Sequence, residues 1–541
     1  MNHAATRRSH LPQRVLLPLV ALALLGAPAL AQDALGNENP GHEAPKRGGT
    51  LVIGIGQNPG HLNPAISTGS EVHAVADSLF NGLVGLDDQA NPYPDLARAW
   101  EVSDDARRYT FHLHAGVRWH DGEPFTSADV AFTFQQVLLR YHARTRTGLA
   151  GRLERIETPD DLTVTFVFRE PYAPFLQQLN VTEAPILPRH VYASVADVQN
   201  APENLTPVGT GPYRFVEYVV DDRVVLARND DYFKPGLPYL DRLVFRVIPD
   251  ANTRLLALER GEVDFIGGLP AGELDRVDAL PEVTVFTPNS GSGGGFCVMT
   301  MSFNLERERF ADLRVRQAFA HAIDRQQVLD QVLFGRGRVA SGPIHSQLAF
   351  AYSDDVRAYP FDPALAESLL DEAGHPRGAD GTRFAATFLH FPAFAKYGEV
   401  LRQNLAQVGV RLELVALDRA AFISRVFEQR DFDTNVISYC NNSDPAIGVA
   451  RVYVSSNIGN IPFSNAAAYV NPEVDRLFAE AASQADVAER GRLYAEVQRL
   501  LVDELPVLWL VETQFSAAGR AEVRGLAPWS GSPAEAAWIA R

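Results

Sequence analysis

The chain has 541 residues, a formal charge of −17 and two cysteines. One hydrophobic core stops growing at about 250–300 residues, so two or more domains follow. The acidic balance argues against nucleic acid or an anionic membrane surface as partner, and it selects no substrate.

In chain order, Arg7, Arg8 and Arg14 precede an apolar run from Val15 to Leu25, and Ala29-Leu30-Ala31 offers a small-residue cleavage site. This predicts an export signal over residues 1–31, cleaved after Ala31. The run is too short to span a membrane, and no later segment reaches the ~18 apolar residues a span needs. Thr6 to Leu11 partly resembles a twin-arginine signal, with ordinary Sec export as the competing reading. No cysteine follows the cleavage site, which argues against a lipid anchor. Removing three arginines from −17 leaves −20 on the mature chain. Residues 32–47 are polar, with Pro and Gly, and read as a flexible leader.

Beyond the leader, strands and helices alternate. Strands are predicted at 51–55 and 109–113, and helices at 71–86 and 128–141. His112, His114 and His120 are close in sequence but lack a neighbouring carboxylate or cysteine cluster, so a solvated strand face describes them better than a metal site. Asp121-Gly122 makes a turn, and Thr126 with Asp129 has the spacing of a capping box. Gly209, Gly211 and Pro212 form a rigid turn before strands from Tyr213 and over 223–227, then 243–248. Asp250 opens a helix that Gly261 closes, and Asp312 caps another. The run Asn289 to Gly295 is glycine-rich and reads as a crossing between lobes. Farther on come a helix at 398–407, strands at 410–416 and 432–437, a helix at 489–501 and a strand at 507–511. The order is that of an α/β protein.

Four segments carry a resemblance. They are the stretch Pro207 to Ile266, Trp119-His120-Asp121-Gly122-Glu123-Pro124 with Thr126 to Val130, Asn304 with Phe310 to Ala318, and Phe361-Asp362-Pro363 through Gly374. In this order they resemble the large solute-binding proteins of ABC importers, the family 5 group that takes dipeptides, oligopeptides, nickel and related solutes. The resemblance covers roughly residues 48–515. It implies a two-lobe periplasmic-binding-protein (Venus-flytrap) fold with an extra subdomain inserted in the first lobe. The first lobe would comprise 48–290 with 507–541, the insertion about 91–204, and the second lobe 296–505, with a second crossing near Pro506. It further implies a monomer without cofactor that closes on a small-molecule solute and delivers it to membrane permease subunits.

In peptide-binding relatives an aspartate holds the ligand's amine and a cationic side chain its carboxylate. Here the matching loop reads Tyr439-Cys440-Asn441-Asn442-Ser443-Asp444-Pro445, one residue short, and Asn442 falls where that aspartate would be. Asp444 fits the structural Asp-Pro, so a turn role competes with ligand contact. His390 and Phe391 stand where some relatives carry arginine. Tyr439 offers a face for stacking, Asn441 and Asn442 donors and acceptors, and Arg451 a cation for an anionic solute or a surface carboxylate. On the opposite wall His61 and Asn63 lie in a loop that borders the cleft in relatives. Gly54-x-Gly56 with Gly60 breaks the dinucleotide spacing.

Two other readings stand beside capture for transport. One is a periplasmic hydrolase acting on peptides or glycans; the other is a binding protein serving a chemoreceptor or sensor. No metalloprotease, nucleophile-elbow or P-loop motif occurs, and separated Ser, His and Asp cannot be assembled into a triad from sequence. Cys297 and Cys440 are an even pair in an oxidising compartment, so a disulfide competes with two buried thiols.

Overall fold

The computed structural model describes residues 44–540 except 88–89, 288–295, 460 and 529–530. The export signal, most of the leader and the glycine run lie outside the described residues. Three principal sheets organise the rest. The first has seven strands in the order Val283–Phe286, Ala517–Arg520, Phe265–Gly267, Thr50–Ile55, Arg242–Val247, Arg223–Arg228 and Tyr213–Val219. Thr50–Ile55 pairs parallel with both its neighbours, while the outer strands are antiparallel. The second has six, in the order Arg338–Val339, Val507–Gln514, Phe296–Phe303, Thr434–Cys440, Phe384–His390 and Val410–Ala416. A four-stranded sheet, Ala97–Val102, Arg108–Leu113, Thr163–Phe168 and Leu153–Asp160, forms the inserted part.

Local chemistry explains many elements. Phe296–Phe303 is buried at all eight positions, as a strand flanked on both edges and covered on both faces must be. The Asp312 carboxylate accepts from the Arg314 N–H at 2.9 Å and starts the helix Leu313–Ala322. Asp250 does the same for Ala251–Glu259 through the Thr253 N–H at 2.7 Å. Thr126 and Asp129 form the capping box, the Asp129 carboxylate accepting from the Thr126 N–H at 2.8 Å.

Two expectations are corrected. The predicted helix 71–86 stops early: Ser70–Ala76 is helical, and the chain then turns into a short strand, Val84–Leu86. The backbone beyond Ala76 is taken by a tertiary partner instead. The Leu79 and Ser78 carbonyls accept from the Gly211 and Tyr213 N–H groups at 2.9 and 3.1 Å. That approach requires glycine, because a Cβ on Gly209 would lie 1.8 Å from the Leu79 oxygen. The second correction concerns the tail. Val507–Gln514 does not return to the first lobe at Pro506 but pairs antiparallel with Phe296–Phe303 in the second sheet. Its apolar residues Val507 to Val511 are buried there, and the chain reaches the first sheet only at Ala517.

The second lobe has its own core, centred on Met299, Phe303, Phe319 and Trp509. The first lobe shares one core with the insertion, where Phe111, Phe166, Phe168 and Phe175 pack edge-to-face at centroid distances of 4.7 to 6.2 Å. The insertion is therefore welded to the first lobe. Ala446 and Ala482, which follow strands of the second lobe, also pack into this core. The two lobes are in contact.

Candidate functional site

Beside the apolar contact at Ala446 and Ala482, Arg146 and Arg152 donate to the Ser456 and Ala479 carbonyls at 3.1 Å and Arg336 pairs with Asp275, and four further bridges join side chains of the two lobes. At the first, the Arg419 guanidinium donates to the Glu71 carboxylate at 3.0 Å and to the Ser67 hydroxyl at 3.2 Å, and it lies 5.0 Å over the Phe463 ring. Gly69 leaves room for it; a Cβ there would sit 1.6 Å from an Arg419 nitrogen. At the second, Arg451 donates to the Thr68 hydroxyl at 3.1 Å. The Asn442 amide makes the third, donating to Glu183 Oε1 at 2.6 Å, while Glu183 Oε2 accepts from Arg144 at 2.5 Å. The fourth is a bond from the Asn457 amide to the Thr147 hydroxyl. Glu183, Arg144, Arg451 and Asn457 are all buried, so these are charges and dipoles taken out of water.

The loop that supplies Asn442 is held tightly. Asn442 has φ 54°, a left-handed conformation that asparagine tolerates well. The short helix Pro445–Gly448 lies against the Asn441 backbone, where a Cβ on Gly448 would be 2.0 Å from the Asn441 oxygen. One residue before this loop, Cys440 is joined to its register partner Cys297 by a disulfide that spans 143 positions of sequence. A loop of that size corresponds to about 4–5 kcal/mol in the chain-entropy model. Thiol labelling of the denatured, unreduced protein is expected to find no reactive thiol, and two after reduction; two before reduction would refute the bond.

Of the residues singled out in the sequence, three reach the contact between the lobes. Asn442 and Arg451 bridge it directly. His61 sits beside Arg419, and burial together with the Arg419 and His73 charges pushes its pKa down to about 4, which keeps it neutral. Tyr439 lies behind, its ring 5.4 Å under the Arg451 guanidinium and its hydroxyl donating to the Ser464 carbonyl.

The remaining residues use their polar groups inside one lobe. Asn63 caps the turn Pro64–Ile66 through the Ala65 N–H and donates to Asn204 at 2.8 Å. Asn441 binds the backbone of His345 and Pro343 at 2.5 and 3.3 Å. Asp444 caps Pro445–Gly448 and pairs with buried Arg490 at 2.5 Å. His390 is bonded to the Phe391 carbonyl at 2.8 Å, and Phe391 packs on Phe422 with centroids 4.3 Å apart. Sequence reasoning did not single out Arg419, Glu183, Thr68 or Asn457. Nothing in their immediate neighbours distinguishes them from ordinary surface residues.

Beside Asn442 a recess of about 110 Å³ opens, lined among others by Asp77, Asp95, Glu183, Lys234 and Glu535. Lys234 bridges Asp95 and Glu535 at 2.9 and 2.8 Å. Among the described residues no cluster of His, Cys, Asp and Glu could hold a metal, and no helix is long and apolar enough to cross a membrane.

Comparison with known proteins fits this geometry. The model for bacterial extracellular solute-binding proteins, family 5 (middle region), matches residues 91–460. The chain is 32% identical to a putative ABC transporter peptide-binding protein of Brucella ovis, over 88% of this chain and 89% of the relative. It is 29% identical to heme-binding protein A of Haemophilus influenzae, over 90% and 92% of the two chains. Among solved structures it is similar to the oligopeptide-binding protein AppA of Bacillus subtilis in complex with a nonapeptide. That likeness has a TM-score of 0.83 and 26% identity, and covers 92% of this chain and 100% of the other. Family-model coverage, full-length relatives and fold agree: the chain belongs to the family 5 bacterial extracellular solute-binding proteins.

Proposed function

We propose that this protein is the solute-capturing component of an ABC importer. It works in the periplasm after cleavage behind Ala31, as a monomer that carries out no covalent chemistry. It takes a peptide-like or other polar organic solute between its lobes and hands it to membrane permease subunits. The observation that carries the reading is the polar seam itself, where Arg419, Arg451 and Asn442 of the second lobe meet Glu71, Thr68 and Glu183 of the first. Buried polar groups facing each other across a mobile boundary are what a solute needs on entering, because closure removes it from water and fixes its orientation. Closure is then a population shift driven by contacts that only the closed form makes. The peptide class is supported by the named relatives and by Asn442, His61 and Arg451, which offer a donor, an acceptor and a cation at the seam.

The test uses protein released from its host by osmotic shock. Sequencing is expected to read Gln32 as the first residue, and mass spectrometry to find a small solute that is freed on denaturation and unchanged by incubation with the protein. Retention in the membrane pellet with the leader intact would reject the compartment. A chemically altered solute would reject capture without turnover.

A further inference from the structure

The inserted subdomain shares the first lobe's core, yet one edge of it is fastened to the second lobe. There the Ser456, Ala479 and Ala482 carbonyls accept from Arg146, Arg152 and the Ala173 N–H at 3.1, 3.1 and 2.8 Å. Arg152 does more than the other two. Its Nη2 reaches Ala479 in the last turn of the helix Pro472–Ser483, while its Nη1 donates to the Gly148 and Thr147 carbonyls at 3.0 and 3.5 Å. Those two carbonyls end the helix Ala143–Leu149 of the insertion. One guanidinium thus joins the C-terminal ends of two helices, one on each side of the boundary. Helix C-termini carry partial negative charge, so the two ends repel unless a cation stands between them. The Arg152 side chain is 12% exposed; it lies 5.6 Å over the Tyr172 ring, and half-exposed Glu170 balances its charge at 3.2 Å. Tyr172 requires the glycine at the helix end, since a Cβ on Gly148 would lie 2.3 Å from its hydroxyl. None of the residues that make these three bonds across the boundary lines the recess beside Asn442.

We propose that Arg152 is a positioning residue for closure: it latches the insertion onto the second lobe and sets the closed fraction of the protein from outside the recess. This rests on the reading of the protein as a two-lobe solute-capturing component and names a determinant of its affinity. The insertion moves with the first lobe because the two share a core, so opening must part Arg152 from Ala479 while its bonds to Gly148 and Thr147 remain. The cation then faces one helix end instead of two, and the other end returns to water. A charge-assisted hydrogen bond held away from water shifts such an equilibrium by about tenfold. Removing the latch lowers the closed fraction, and apparent affinity falls with it for any solute that needs the closed form, whatever its chemistry.

The test reads the distance between nitroxide labels on the two lobes by pulsed electron paramagnetic resonance. The native cysteines are bonded to each other, so Val102→Cys in the insertion and Val470→Cys in the second lobe, both exposed positions, take the labels. Bound solute is first removed by unfolding without reductant and refolding. In Arg152→Met the ratio of open to closed distances is expected to rise about tenfold over the labelled protein that keeps Arg152. A role confined to the insertion's own helix would lower the melting temperature and leave the distance distribution unchanged, and that result would overturn the latch. If Arg152→Met fails to fold, Arg152→Lys keeps the charge without the fork that reaches both helix ends, and it is expected to shift the ratio in the same direction; an unchanged distribution there would equally overturn it. The distances are read without a solute, so they decide the latch alone. A solute chemically altered by incubation rejects capture and leaves the distances standing.

Discussion

Asn442→Asp is expected to open the empty protein and to raise its affinity for amines. The Asn442 amide donates to Glu183 Oε1 at 2.6 Å across the seam. An aspartate there cannot donate and would set a second carboxylate against a buried one. Without a ligand, repulsion then favours the open form, which small-angle scattering would register as a larger radius of gyration. A solute carrying an ammonium group could bridge the two carboxylates, and a desolvated pair of that kind contributes on the order of 2–5 kcal/mol. Calorimetry should therefore show free peptides or amines gaining affinity and the natural solute losing it. An aspartate variant whose scattering and affinities match the wild type would remove Asn442 from both closure and recognition.

Lys234→Met is expected to give a large loss of stability, and one that depends on pH. Lys234 bridges Asp95, 6% exposed, and Glu535 of the C-terminal tail, and Glu535 also accepts from the Tyr232 hydroxyl at 2.5 Å. Burial acts to lower the lysine pKa, but the Asp95, Tyr232 and Glu535 charges hold it well above its ordinary value. Removing one member of such a cluster leaves unpaired buried charge, a loss of about 3–5 kcal/mol near neutrality. Asp95 fixes the sign of the pH effect. Its pKa is raised by burial and pulled back by Lys234, so without the lysine it rises further. A carboxyl with a raised folded pKa binds protons more tightly in the folded than in the unfolded chain. Stability therefore falls as pH climbs from the ordinary carboxylate range through the raised value. The deficit of the variant should be small in acid and full at neutrality. Melts at about pH 5 and about pH 7 check this, and a deficit independent of pH would show that lost packing, not charge, is responsible.

How much of this was legible in the sequence follows from the distance over which each feature is decided. Asp312, Asp250 and the Thr126–Asp129 box were readable because a helix cap is settled within three residues. Val410–Ala416 was readable because its alternation and the Gly409 before it are local. The break after Ala76 was not, since the competing partner is the Gly211 loop, which supplies backbone donors from far along the chain. Nor was the placement of Val507–Gln514, whose apolar run fits a buried slot in either sheet. At the site, Asn442 and Arg451 could be singled out from the loop that carries them. Arg419 and Glu183 could not: their partners lie 348 and 259 positions away, and only the closed arrangement of the lobes makes them neighbours.

The late return of the tail has a mechanical consequence. The main chain passes between lobes twice, leaving the second sheet at Phe296 and again at Gln514, and these two residues are register partners on adjacent antiparallel strands. The two exits therefore lie side by side on the second sheet rather than at separated points. Separated exits would confine rotation to the line through both, whereas adjacent exits give the lobes one common pivot. The lobes should swing like a book on its spine. Arg451 is close to that pivot, since its guanidinium lies over Tyr439, the register partner of Val298, and the Asn441 N–H donates to the Phe296 carbonyl at 3.0 Å; the loop that carries Asn442 is thus anchored where the lobes turn.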